Sequence, residues 1–428
     1  MALLVYMPFH IFLVQSLSLV MGGLDTWKIA KDVGIALLTM FVFCTVYATK
    51  RATKLLNILV ILTLTYLGLH LMLWAFHPDL YVPSALLGTT YNVRLLCLLI
   101  IGHGAVLLYP TKFVFSSVMK LVLGVSTGVA VLGIVQFLLP PDLLTHLGYS
   151  LERGVRPAFF IDDNPAFHRI MSTLREPNAL GAYMLLPFTA LWALLLNSTK
   201  TAVDRRKVVL AGLLLLHGTA LLLTFSRSAW LGTLLAVGLV TWWRYRTVLL
   251  TLAKQWWPLL VALVVALGII GFVFRDNSFV TGYITHATPE EAEDLDSNDL
   301  HWILVRDGIR GVTHEPFGHG PGTAGIVSIQ NPAGGVLTEN YYVQIAYEVG
   351  ILGLLLFVAV HVVVYRSIRR GPGAVWRSVL LASFWGYILI NMLLHIWSNE
   401  AVATQWWLLA GMALTMVTTA SNKKDRHG

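Results

Sequence analysis

Thr224-Phe225-Ser226-Arg227-Ser228-Ala229-Trp230 is a short polar break between two apolar runs, 207–224 and 228–243. Each run approaches the ~20 residues that a helix rising ~1.5 Å per residue needs to cross ~30 Å of hydrocarbon. A link this short cannot leave the membrane surface. The stretch therefore predicts two helices that span a bilayer, with Arg227 held at the rim.

The same pattern extends in both directions. Further apolar spans are predicted at 2–21, 30–48, 55–76, 92–110, 114–138, 178–197, 256–274, 340–365, 375–397 and 401–420. Residues 1–21 lack a basic start and a small-residue cleavage site, so they read as a retained helix. With 57% hydrophobic and 12% charged residues, the expectation is one all-α integral membrane domain, 1–428. It would have about 12 transmembrane helices, with a large, partly helical extracytoplasmic loop between helices 9 and 10.

The net charge of +8 does not point to nucleic acid, because the basic residues cluster in short links. With a cytoplasmic N-terminus, Lys50/Arg51/Lys54, Lys200/Arg205/Arg206/Lys207, Arg244/Arg246, Arg366/Arg369/Arg370 and Lys423/Lys424/Arg426 all fall on the cytoplasmic side. Lys28 and Lys31 fall on the other side. Cys44 and Cys97 lie inside predicted spans and suggest neither a disulfide framework nor a metal site.

Two excursions face outward: 139–177, opening with Pro140-Pro141, and 275–339. The second carries an acidic run from Glu290 to Asp299, read as a solvated surface. Leu300 to Val312 has helical spacing, and Pro316 to Gly325 breaks it with four glycines and two prolines. Such a break either brings backbone amides to a ligand or forms a plain turn.

Arg175 precedes a helix that Asn178 is placed to cap. A guanidinium beside a helix N-terminus makes a pyrophosphate seat; a snorkelling arginine paired with Glu176 or a lipid phosphate is the alternative. Arg227 has Ser226 and Ser228 as flanking donors, and a topological anchor at this rim would be on the wrong side. Arg94 is a third candidate phosphate contact, against an interhelical ion pair. Asn340, Gln344 and Glu348 line one face of the re-entry helix. There Glu348 reads as a structural counter-ion for an arginine, and Asn340, Tyr341 and Gln344 as acceptor or orientation residues, Asn340 orienting either the acceptor or the base. Glu339 at the water boundary and His301 at the start of the loop helix are the candidate proton acceptors. Tyr341, Tyr342 and Trp302 are placed either to stack on sugars or to form an interfacial belt. No metal-ligand spacing or nucleotide fingerprint stands out, so no metal and no cofactor are expected.

At these residues the chain resembles the O-antigen ligase and polymerase superfamily of bacterial membrane proteins. Ser172 to Pro187 resembles the family's arginine-proline-asparagine-leucine-glycine segment at a helix start. Thr224 to Gly232 resembles its Ser-Arg-x-Ala-Trp turn, and Leu300 to Gly325 its loop helix followed by Pro-x-Gly-x-Gly. Thr338 to Gly353 resembles its re-entry helix. The resemblance implies transfer of a glycan from an undecaprenyl-pyrophosphate donor to a glycan or glycolipid acceptor. The site would lie at the outer face of the bacterial cytoplasmic (inner) membrane, among membrane lipids, without a metal or a nucleotide sugar. It further implies that Arg175 and Arg227 match the family's two outward-facing arginines. In two places the chain departs from the ligases. Glu339 stands where they have a histidine, and His301 is nearest to the slot where they tend to have an arginine. Both changes suit a polymerase, or a ligase with a different acceptor. A transporter or flippase of lipid-linked saccharides is the rival reading, and it would want charges near the bilayer midplane.

Overall fold

The computed structural model describes residues 1–428 except 113, 162–163, 199–203, 274–296, 330, 333, 372 and 425–428. Nine helices among the described residues are long and apolar enough to span a membrane. They are α1 (Ala2–Met21), α2 (Leu24–Ala48), α3 (Lys54–Phe76), α4 (Val82–Leu108), α5 (Phe115–Leu138), α6 (Pro177–Leu196), α7 (Arg205–Leu223), α10 (Tyr341–Ile368) and α11 (Ala374–Asn391). Two more helices, α8 (Arg227–Val273) and α12 (Glu400–Lys424), complete the bundle, and α9 (Ser297–His314) belongs to the large loop. The chain is a multi-pass helical membrane protein.

The expected count of twelve thus stands at nine among the described residues. The other three predicted spans lie in α12 and in α8, which takes in 228–243 and, of 256–274, all the described residues, and departs from helical geometry at Tyr245. The span placed at 92–110 starts ten residues early, at Val82, because Pro83 seeds its first turn. Polar Asn92 and Arg94 hid that extension from a hydropathy reading. Glu290, Glu291, Glu293, Asp294 and Asp296 lie outside the described residues.

The centre of the bundle is α4, α6 and α12, whose walls are buried on most sides. The segment 139–177, expected as a loop, carries a short hairpin in an otherwise helical fold. Phe159–Ile161 (β1) and Asn164–Arg169 (β2) form an antiparallel hairpin that pairs Phe159 with Arg169 and Phe160 with His168. The chain then dips among the helices. The Ser172 hydroxyl donates to the Val129 carbonyl of α5 and the Thr173 hydroxyl to the Pro8 carbonyl of α1, both at 2.7 Å. The Gln136 side chain accepts from the amides of Met171 and Ser172. Irregular backbone at this depth persists because protein groups satisfy it.

Candidate active site

Two helices begin side by side at one face of the bundle. A Cβ on Gly181, in the first turns of α6, would stand 2.7 Å from the Ala229 Cβ of α8. Arg175 lies two residues before α6, and Arg227 opens α8. The turn before Arg227 is fixed locally: Trp230 Nε1 donates to the Leu221 carbonyl at 3.0 Å, and the Ser226 amide to Thr224 Oγ1 at 3.2 Å. Arg169, at the end of β2, ties the two helix starts together. Its Nε donates to the Thr224 carbonyl and its Nη2 to Asn178 Oδ1, both at 2.9 Å. Asn178 therefore does not cap α6; the cap position is Glu176, without a side-chain bond. Burial raises the Glu176 carboxyl above its ordinary range, against the pull of Arg175 and Arg169. Arg175 Nη2 donates to the Gly154 carbonyl at 3.1 Å.

The second group forms where the large loop meets α10. His301 Nδ1 lies 2.7 Å from Glu339 Oε2, with both side chains partly exposed. The pairing depends on how α9 lies against α10. Gly308 and Gly311, one helical turn apart, face Val343 and Tyr347 so closely that a Cβ would stand 2.8 Å and 2.2 Å from them. Asn340 caps α10: its Oδ1 accepts from the amides of Tyr342 and Val343, each at 3.0 Å. Its Nδ2 donates to the Met392 carbonyl at 2.9 Å. Asn340, expected to orient the acceptor or the base, is thus bonded to backbone through both ends of its amide group, next to Glu339. Below it, Thr338 Oγ1 lies 3.2 Å from His395 Nε2, and burial, then the charge on His301, lowers His395 to about 4.

Three expectations for α10 are corrected. Glu348 is fully buried, and no ion pair joins it to an arginine among the described residues. Its Oε1 accepts from the amides of Gly322 (3.1 Å) and Ala324 (3.4 Å), and its Oε2 from Asn92 Nδ2 (2.8 Å). The amides of the Pro316–Gly325 break are thus aimed at a carboxyl of the same chain. Tyr341 is fully buried, its hydroxyl donating to Asn92 Oδ1 at 3.3 Å, and Gln344 is buried against Gly325. Neither presents itself to an acceptor. The break enters where α10 is interrupted: Gly350 has φ 73°, ψ 177°, and the Ile351 amide donates to the Pro316 carbonyl at 2.9 Å. Only glycine adopts that backbone without cost. Trp302 stands exposed beside His301, 5.8 Å between ring centroids.

Arg94 makes the ion pair that was its alternative. Its Nη1 lies 3.3 Å from Asp32 Oδ1, and its Nη2 donates to the Ser398 carbonyl at 2.6 Å. The 392–399 link therefore holds Asn340 through Met392 and Arg94 through Ser398. Arg94 also lines a cavity of about 1140 Å³ with Lys28, Lys31 and Arg175. Lys28 and Lys31, which broke the charge pattern, belong to this cluster.

Sequence reasoning missed Arg169, Asn92 and the 392–399 link. The Asp-Asp-Asn run at 162–164, between two apolar-aromatic stretches, was the available signal for the hairpin that delivers Arg169. Nothing local marks Asn92 as a partner of Glu348, 256 positions away.

Residues 210–358 match the family model described as O-antigen ligase. The match starts within α7, takes in Arg227, His301 and Glu339, and ends within α10. No curated protein matches the chain.

Proposed function

From the O-antigen ligase type of residues 210–358, we propose that this protein transfers a glycan from an undecaprenyl-pyrophosphate donor to a sugar hydroxyl. The reaction takes place at the outer face of the bacterial cytoplasmic membrane. The observation that carries the reading is the His301–Glu339 contact of 2.7 Å, beside an exposed tryptophan on the same loop helix. A histidine and a carboxyl in that contact make a proton acceptor with a fixed ring orientation, and the pair stands at the start of α10, not midway along a span where a transporter would want its charges.

The reaction is inverting. The acceptor oxygen attacks C1 of the donor sugar, and the C1–oxygen bond to pyrophosphate breaks on the opposite side. The hydroxyl proton passes to the Glu339–His301 pair. Arg175 and Arg227 bind the pyrophosphate and stabilise the charge that grows on it, so the leaving group needs no protonation. Arg169 holds the two arginine-bearing segments in register through Thr224 and Asn178. Asn340 keeps the Glu339 backbone in place.

The test uses protein purified in detergent and a polyprenyl-pyrophosphate glycan. Arg175→Ala, Arg227→Ala and Glu339→Gln are each expected to slow transfer by about two orders of magnitude or more, the scale of losing one transition-state contact. Parental rates in both arginine variants would overturn the reading. Mass spectrometry of the product separates its two forms: a repeating ladder on the carrier means a polymerase, and one block moved to a new acceptor means a ligase.

A further inference from the structure

Helix α9 descends beside α10 in the same direction. His301 is level with Glu339, Gly308 with Val343 and Gly311 with Tyr347, and Pro316 meets Ile351. With α9 and the segment after it packed there, α10 has no exposed residue before Ile351. From that point it presents Ile351, Leu352, Leu355 and Val358, all exposed, as the outward stripe of a membrane span. Nearer the helix start, the outward surface belongs to α9. Its exposed residues Arg306, Ile309, Arg310 and Thr313 recur every three to four positions and so share one face. Phe317, just past the end of α9, is 86% exposed, and its backbone lies against Gly350. Asp307 is 3.4 Å from Arg310 and 4.0 Å from Arg306, so two guanidinium groups share one carboxylate, and both arginine side chains remain mostly exposed. Glu315, the next carboxylate along, is turned to His319 at 3.7 Å.

The depths of these residues fit a bilayer edge. Phe317 is level with the first lipid-facing residue of α10, Ile351. Tyr347 stands four residues before Ile351, ~6 Å at ~1.5 Å per residue. Arg310, next to Gly311, therefore lies about that far outside the apolar stripe, and Arg306 about one turn, ~5 Å, farther out. The headgroup layer is ~5–8 Å deep on each side of the hydrocarbon, and an arginine side chain reaches along an apolar surface to the phosphates. We propose that the outer face of α9 is a docking surface for anionic phospholipid, with Arg306 and Arg310 on headgroup phosphate and Phe317 among the acyl chains. Continuity with the lipid-facing stripe of α10 selects a bilayer over a protein partner, and the surplus guanidinium selects an anionic headgroup over a zwitterionic one. The surface needs neither donor nor acceptor and stands apart from the transfer reaction. Its effect is to press α9 onto α10 from the side opposite Gly308 and Gly311, which keeps His301 over Glu339.

The test is hydrogen exchange of the peptides covering 300–314, on the full chain in nanodiscs of phosphatidylcholine with and without phosphatidylglycerol. Phosphatidylglycerol is expected to slow exchange of α9 severalfold, and inorganic phosphate added to phosphatidylcholine discs is expected not to. The double substitution Arg306→Gln and Arg310→Gln should abolish the difference between the two lipids. Equal exchange in both lipids, the same slowing by free phosphate, or a lipid effect that survives the double substitution overturns the proposal. A second measurement avoids the arginines. A spin label at Phe317→Cys, with Cys44 and Cys97 replaced by alanine, should be as accessible to oxygen, and as shielded from a water-soluble nickel complex, as a label at Leu355→Cys. A label at Phe317→Cys that the nickel complex reaches freely places this residue in water and removes the docking surface.

Discussion

Gly311→Ala separates positioning of the His301–Glu339 pair from folding of the bundle. The new Cβ would stand 2.2 Å from Cε2 and 2.7 Å from Cδ2 of Tyr347, whereas carbon atoms in ordinary contact sit ~3.5–4.0 Å apart. The ring cannot simply swing aside, because it is stacked on His319 at 3.8 Å and 7°. Helix α9 must lift by more than ~1 Å, at the ~1–3 kcal/mol typical of overpacking. His301 lies ~15 Å along the helix axis from the pivot, at ~1.5 Å per residue, so a small tilt moves its ring farther than the pivot itself. A misplacement of ~1 Å costs on the order of 10²-fold in rate. The expected result is a transfer rate down by about that factor, with the thermal midpoint of the detergent-solubilised protein little changed, because the contact is peripheral to the α4–α6–α12 core. Tyr347→Leu in the Gly311→Ala background should recover most of the loss relative to Tyr347→Leu alone. A parental rate in Gly311→Ala, or a double variant no faster than Gly311→Ala, refutes the claim that this packing aims His301.

Glu348→Ala leaves the amides of Gly322 and Ala324 and the Asn92 side chain without their acceptor; at ~1–3 kcal/mol per orphaned buried donor, less what relaxation recovers, it should destabilise the fold by about 3–5 kcal/mol. A thermal midpoint within error of the parent would contradict this. Arg169→Ala removes bonds to both Thr224 and Asn178 and should slow transfer at least tenfold, with Arg169→Lys failing to restore the rate because an ammonium does not reproduce the two-armed contact; full activity in the lysine variant sinks the claim. His395 titrates at about 4 in the folded protein, below the ordinary histidine value of 6.5, so the fold holds it neutral while the unfolded chain takes up a proton below 6.5. Its contribution is present above 6.5 and lost as pH falls toward 4, about 3 kcal/mol in all. His395→Gln should flatten the midpoint-against-pH curve over that window, and an unchanged slope would be the contrary result.

What could be read from the chain was set by the range of each interaction. Spans are local and apolar, so their positions followed from composition, and basic links supplied the expected sidedness. Between 228–243 and 256–273 the charged residues at 244–254 look like a loop; the structure breaks at Tyr245 alone, with helix on either side of that kink. In the site, Arg175, Arg227, Glu339 and His301 stood out because polar residues at a membrane rim are conspicuous. The roles of Glu348 and Tyr341 were misread because their helix face was known but not what lay opposite: Asn92 on α4 and the inserted glycine segment. A spacing of four identifies a shared face and says nothing about the surface that meets it.

Backbone strain connects the segments of the site in a way that no pairwise contact does. Four non-glycine residues among those described have left-handed φ: Lys50, Ser172, Phe225 and Glu339. Lys50 turns a basic link; the other three lie at or just before Arg175, Arg227 and the His301 partner itself. Such a conformation costs about 1–3 kcal/mol and survives only where the surroundings determine it. At Ser172 they do so through the Val129 carbonyl and the Gln136 side chain. Phe225 packs its ring on Trp230, and its preceding carbonyl is held by Arg169. Glu339 sits between the Thr338 hydroxyl, bonded toward Asn340 and His395, and the Asn340 cap. In each case the chain turns sharply just where a charged side chain must leave the helix direction. The three left-handed residues thus place the sharp turns of the chain at or just before Arg175, Arg227 and Glu339.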